Sequence, residues 1–567
     1  MPSEPATGSF DLTRAKWLPV LREDGTGDVL SLRELFEQAG GLRRLVGDVP
    51  TQEFALLRLL LAILHDAIDG PGDVEEWQEL WDGGLPVGRI TSYLDKHLGR
   101  FDLLHPQTPF FQTADLRTAT GEFTSLDRIV ADVPNGARFF TMRAHGTPRL
   151  TFAEAARWLV HAHTFDTSGI KTGAVGDPRV KGGKVYPQGV AWAGNLGGVC
   201  AEGNNLRETL LLNLIAFDTD TLRIGPDPDL PAWRHAPAGA GQMDPVALSR
   251  RPAGVRDLYT WQSRRVRYLH DAEGVYGVIL AYGDPLAPHN RHDREPMTGW
   301  RRSEAQEKKL GLAQVYLPRE HDPSRSAWRG LGALVAGRTQ WSEQRGEAAH
   351  IVRPRILDWV ARTTVEGDLP ANFLIRARLF GAVYGTQQSV FDEVIDDGVT
   401  MPVVLLHQRD TGLGQAAIGA VRDAEDAVTA LGDLAADLAR AGGAGSGQTK
   451  EAARYVGFAA LDEPFRVWLA ALRPEDDPHE QRAIWQTQVH QAVRRLGADL
   501  VREAGDAAWD GRVIETRNGQ KLWLNAAQAD LTFLARLRRM LPTAAANGTL
   551  HDPQSGHSDK SHVEAPS

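Results

Sequence analysis

"DTGLGQAAIGAVRDAEDAVTALGDLAADLARA", residues 410–441, decides how the C-terminal part of the chain folds. Val421, Ala424, Val428, Leu431, Ala435 and Leu438 recur at alternating spacings of three and four, which puts them on one face of a single long helix. "AGGAGSG" (441–447) then reads as a flexible connector. Further helical patterns follow at 449–472 (interrupted by Pro464), 478–505 and 525–541, the last capped by Asn525. Four amphipathic helices joined by loops predict a four-helix bundle over 401–544. The polar, aperiodic tail 545–567 is predicted to be disordered.

Upstream, residues 1–400 mix the two periodicities and predict a large α+β domain. "FDLTRAKWLPVLREDGTGDVLSLRELFEQA" opens with a strand, a turn at Asp24-Gly25, a second strand and a helix. Ser31 and Glu34 stand at capping-box spacing there, and Thr151 and Glu154 repeat it before a helix running to about His163. Residues 51–69 predict a buried helix, with Thr51 as its N-cap and Gly70 as its end. "LRETLLLNLIAF" (206–217) is another apolar helix, "GVYGVILAY" (274–282) is strand-like, and 379–397 reads as a short break before the bundle.

Composition bounds the function. At 567 residues, two to four domains are expected. The net charge of −10 excludes a protein coated with positive charge, although a local basic patch can still meet phosphates. The single cysteine, Cys200, excludes a disulfide framework and a zinc ribbon. The strongest apolar run, "FALLRLLLAILHDAI" (54–68), contains Arg58 and is too short to span a bilayer. A soluble, cytoplasmic protein is the expectation, with no membrane partner.

The most glycine-dense stretch is "GIKTGAVGDPRVKGGKV" (169–185), followed by "YPQGVAWAGNLGGVCAEGNN" (186–205). Glycine lets a backbone approach a ligand closely. No Lys-Ser/Thr pair closes a phosphate-binding loop here, and G-x-G-x-x-G in a strand–loop–helix frame is also lacking. His161/His163 and His289/His292 are the only metal-ligand spacings, and neither pair has an evident further ligand. They carry the alternative reading, a metal-dependent phosphohydrolase. No nucleophile stands in a recognisable catalytic context. The basic clusters "YTWQSRRVRY" (259–268) and "WRRSEAQEKK" (300–309) suit contacts to a nucleic-acid backbone.

Four stretches, in order, resemble one family: "FDLTRAKWLPV", "RFDLLHPQTPFFQT", the glycine region leading into "GNNLRETLLLNLI", and "YGTQQSV" before the helices. They resemble CasA, the large subunit of the type I-E CRISPR surveillance complex Cascade, over nearly the whole chain to about residue 541. The resemblance implies a non-catalytic subunit without a cofactor, whose partners are target double-stranded DNA, crRNA, the other Cascade subunits and a helicase–nuclease that docks on it. Such a subunit reads the protospacer-adjacent motif (PAM) from the minor groove and starts strand separation.

Carried over residue by residue, the resemblance aligns the family's glycine loop with Gln188-Gly189 through Gly194 to Gly198, with Gly189 in closest approach. It makes Gln388 the wedge under the PAM, flanked by Gln387 and Ser389. Arg301, Arg302 and Lys308 match the lysines that gather duplex DNA, and Phe140 and Arg143 in "NGARFFTMRAHG" (135–146) match the crRNA-docking loop. The family's groove-reading lysine falls near Gly274–Tyr276, where this chain has none, so either Arg264, Arg265 or Arg267 substitutes for it or the PAM is read differently here. The cysteine cluster of some relatives is absent.

Overall fold

The computed structural model describes residues 8–131, 147–218, 227–335, 350–407, 412–515 and 519–544. Phe140, Arg143 and the tail beyond 544 lie outside them. The chain divides into two compact units, Met1–Gly414 and Gln415–Ser567. The partition falls beyond the expected boundary at 400 because residues 401–406 are tied into the first unit. Val403 N–H donates to Phe373 O at 2.9 Å, and the buried Arg353 guanidinium donates to Leu406 O at 3.0 Å.

The first unit is α+β. Strands Leu18–Arg22 and Gly27–Leu30 pair across the turn at Gly25, and the helix Leu32–Gln38 follows with the Ser31–Glu34 capping box in place. The central helix Pro50–Ile68 is buried along almost its whole length. It starts one residue earlier than expected, so Thr51 is not its cap; the Thr51 hydroxyl instead meets His161 Nε2 at 2.9 Å. Its end is Asp69, in the left-handed region at φ 47°, just before Gly70. A buried carboxylate, Glu295, accepts two hydrogen bonds from Arg58 (2.9 and 2.8 Å) and one from the Trp192 indole (2.8 Å). That network fastens the glycine-rich region to the central helix.

The expected break at 379–397 is a long antiparallel hairpin, Leu374–Tyr384 with Phe391–Pro402. Turn-like residues at 385–389 mask two strands whose alternation is blurred by a run of acids at the exposed end. The strand Gly198–Glu202, which leaves the glycine region, pairs on the other side of Leu374–Tyr384 with Gly198 opposite Phe380. One three-stranded sheet thus joins the glycine region to the glutamine segment.

The second unit is helical: Gly412–Gly442, Gly447–Ala471, Pro478–Arg502 and Ala526–Met540 are its long elements. All six stripe residues of the first are buried. Pro464 does not interrupt the second helix, because Leu461, Phe465, Trp468 and Leu469 on both sides of it are buried and hold the axis. Gly457 and Gly497 allow close approach: a Cβ at Gly497 would lie 2.4 Å from the Phe533 ring. A small hairpin, Arg512–Glu515 with Lys521–Leu524, precedes the last helix and was not foreseen. Among the described residues, no helix is long and apolar enough to cross a membrane.

Candidate nucleic-acid interface

Three segments converge on a buried ionic knot. The helix Phe152–Phe165, opened by the Thr151–Glu154 capping box, ends at Asp166, and the chain continues as a short strap, residues 166–169. The buried Asp166 carboxylate is paired with Arg264 and, at 2.7 Å, with the Lys171 ammonium. Burial pushes the Asp166 carboxyl up, but the Lys171 and Arg264 charges outweigh this and hold it below its usual value. Burial brings Lys171 down to about 8 against the attraction of Asp166.

Arg264 then distributes its remaining donors. Its Nη2 lies 3.0 Å from Asp166 O, 3.0 Å from Thr167 O and 3.1 Å from Gly189 O. The same guanidinium therefore fixes the strap and the glycine loop. Tyr282 and Tyr384 complete the frame: their hydroxyls donate to Gly169 O and Phe165 O, both at 2.6 Å.

The third segment is the tip of the long hairpin. Ser168 N–H donates to Gln388 O at 2.7 Å, and Gln388 N–H closes a turn onto Gly385 O at 2.8 Å. Gln387 and Gln388 both take the left-handed region, at φ 57° and 56°. For a non-glycine residue this conformation costs on the order of 1–2 kcal/mol, so two in succession persist only where the surroundings impose them. Both side chains are exposed, and their carboxamides make no hydrogen bond among the described residues. Ser389 bonds its hydroxyl to Thr386 O and packs on Gly169.

Gly189, at φ 98°, faces open space: a Cβ there would meet nothing within 4 Å. Gln188 is exposed and folds its amide back onto Tyr186 O and Pro187 O. Gly194 differs from the loop expectation. It is buried, and a Cβ there would lie 2.3 Å from the Tyr384 hydroxyl, so it supports the loop from within.

Two of the expected arginine substitutes are likewise structural. Arg264 sits in the knot, and Arg265 is buried against Asp284 with further bonds to Gly239 O and Gly241 O. Arg267 is exposed and holds Leu116 O. Arg264 and Arg265 are thus committed to buried carboxylates, whereas Arg267 has no ion-pair partner among the described residues.

Arg301, Arg302 and Lys308 lie on a different sheet and the helix after it, Trp300–Arg302 and Glu304–Leu310. Among the described residues they share no hydrogen bond or ion pair with the glutamine tip. Arg302 is clamped by Glu307 at 2.7 and 3.1 Å, whereas Arg301 and Lys308 are exposed with no ion-pair partner among the described residues. Three of the four histidines of the metal reading are engaged elsewhere. His161 meets Thr51, His163 meets Phe111 O at 2.8 Å, and the His292 ring packs on Tyr316. Among the described residues no group of three or more possible ligands gathers.

With this geometry in hand, the family profile described as CRISPR-associated protein Cse1 matches residues 11–496. The chain belongs to the Cse1 (CasA) family. The crystal structure of Thermobifida fusca Cse1 is 64% identical and superposes with a TM-score of 0.88 over 95% of this chain and 99% of that one. Cse1 from Acidimicrobium ferrooxidans is 30% identical, with a TM-score of 0.77 over 96% and 99% of the two chains. CasA/Cse1 of Thermus thermophilus is 30% identical over 332 residues, a match that spans 58% of this chain and only 60% of that protein. As a Cse1 chain, this molecule places the strap 166–169 at the centre of its candidate interface. The strap was missed in the sequence, although its signal, a helix end running into Asp-Thr-Ser-Gly, is visible.

Proposed function

We propose that this Cse1 chain is the DNA-recognition subunit of a type I-E Cascade, without catalysis of its own. In this reading the open backbone at Gly189 and the glutamine tip enter the minor groove at the PAM. The groove is narrow and chemically degenerate, so slim backbone and a few amides suit it better than a helix. Gln388 wedges under the PAM pair, Gln387 and Ser389 flank it, and the guide RNA reads the rest of the target. Unstacking one step costs a few kcal/mol, offset by contacts to the opened strands.

The observation that carries the reading is the strained tip. Two exposed glutamines with free carboxamides are held at positive φ, and the carbonyl of the second is pinned to the strap. A solvent-facing turn of no function has no need of that strain. Arg301 and Lys308 supply sequence-independent attraction for the duplex. The helicase–nuclease and the neighbouring subunits, with Phe140 and Arg143 toward the crRNA, complete the proposed set of partners. The test is a gel shift of the reconstituted complex on targets that differ only in the PAM. Binding that depends on the PAM is expected; equal binding to every PAM variant contradicts the reading.

A further inference from the structure

The excursion between the strap and the glycine loop is itself an ordered hairpin. Strands Lys171–Thr172 and Lys184–Val185 pair antiparallel, and Gly173 N–H donates to Gly183 O at 2.9 Å. Gly173 bears no side chain for a reason: a Cβ would stand 2.7 Å from the Gly183 backbone. At the end of the excursion, Lys181 and Lys184 exchange both backbone hydrogen bonds, at 2.9 and 3.2 Å. Gly182 and Gly183 between them have φ 57° and 74°, the double positive φ of a tight two-residue turn.

That geometry sets two ammonium groups on the same face. Residues that exchange both bonds lie directly opposite, with Cα atoms about 5.5 Å apart. Like charges so placed destabilise a hairpin. Both lysines are exposed, and neither has an ion pair or side-chain hydrogen bond among the described residues. The base of the excursion is anchored on both sides. Arg179 donates to Tyr282 O at 2.7 Å and Gly283 O at 2.9 Å, and it is paired with the buried Asp177 at 2.9 Å. At the two ends, Gly169 O is held by Tyr282 and Gly189 O by Arg264. A pair of cations on a held backbone, with no ion-pair partner among the described residues, fits an oxyanion.

We infer that the Lys181-Gly182-Gly183-Lys184 turn is a phosphate clamp that grips the duplex backbone beside the groove entered by Gln388. This rests on the DNA-recognition reading above, because the same two segments bound both features. It also fills a gap. Arg264 and Arg265 are committed to buried carboxylates, and the clamp supplies cations at this edge that they cannot. Its contribution is independent of base sequence, since phosphates carry no letter.

The test uses the reconstituted RNA-guided complex carrying Lys181→Ala with Lys184→Ala, and separately Lys181→Asp. Affinity is measured against salt concentration on duplexes with and without the PAM. Loss of two phosphate contacts lowers the slope of log K on log salt by about 1.8, equally for both duplexes. The opening rate at saturating duplex stays unchanged. Lys181→Asp reproduces the lower slope while raising the Tm of the free protein, because the introduced carboxylate pairs with Lys184 across the turn.

An unchanged slope in both folded variants overturns the clamp. If Gln388→Ala still slows opening in that case, the recognition reading stands without it. If Gln388→Ala is silent but the slope falls, the clamp holds and the wedge fails. Impaired assembly of the complex with an unchanged DNA slope also overturns the clamp, in favour of an acidic protein surface as its partner.

Discussion

At the scale of single residues, Gln388 and Gly189 divide the work between side chain and backbone. Gly189 has no Cβ and opens onto free space, but its φ of 98° penalises any replacement. Gly189→Ala is predicted to cost about 1–2 kcal/mol of stability from backbone strain alone, read as a lower Tm, and to abolish PAM-dependent binding in the folded fraction. Retained PAM discrimination in that variant would remove Gly189 from the groove. The individual residues were partly legible in sequence. The glutamine pair stood out only through the family pattern, and its left-handed backbone has no signature, because glutamine is an ordinary residue at ordinary φ. Gly194 was misread for the opposite reason: glycine serves close packing as readily as ligand approach, and only the Tyr384 contact tells which.

At the scale of elements, paired charges decide which basic residues are available. Arg302 and Glu307 already satisfy each other, whereas Arg301 and Lys308 do not. Arg301→Ala and Lys308→Ala are each predicted to lower the salt slope of duplex binding by about one, uniformly across sequences, while Arg302→Ala changes it far less. Filter binding at several salt concentrations separates the three; an equal effect of all three contradicts the pairing. Elements with strong local signals formed where expected: both capping boxes, the Asn525 cap and the apolar stripe of Gly412–Gly442. The long hairpin did not announce itself. Its pairing is set by tertiary contacts with Gly198–Glu202, and acids such as Glu393, Asp396 and Asp397 obscure the period of two.

At the scale of the whole molecule, buried histidines set the response to acid. Burial takes His65, His161 and His163 down to about 3, with the Arg256 charge adding to it at His65 and those of Arg265 and Arg264 at His163. In the unfolded chain each titrates near 6.5, so below that pH the unfolded state binds protons that the folded state refuses. Stability is therefore full above about pH 6.5 and falls as the pH drops toward 3, by roughly 2 kcal/mol per histidine at pH 5. Thermal melts from pH 7 to 5 check this, and His161→Gln should flatten the slope by up to one proton. The two-part α+β and helical plan was readable from periodicity. The interface was not, because the hairpin carrying the tip comes far later in the chain than the strap and the loop; Arg264 joins the strap to the loop, and the hairpin meets them through the Ser168–Gln388 bond, the Tyr384 and Ser389 contacts and the shared sheet. The most direct measurement compares R-loop opening rates of the reconstituted complex with and without Gln388→Ala, on an intact PAM duplex and on the same target with its first base pairs already unpaired. Slow opening on the intact duplex, near-normal binding to it, and recovery on the pre-opened target are expected. Unchanged opening, or an equal loss on both targets, would contradict the wedge at Gln388.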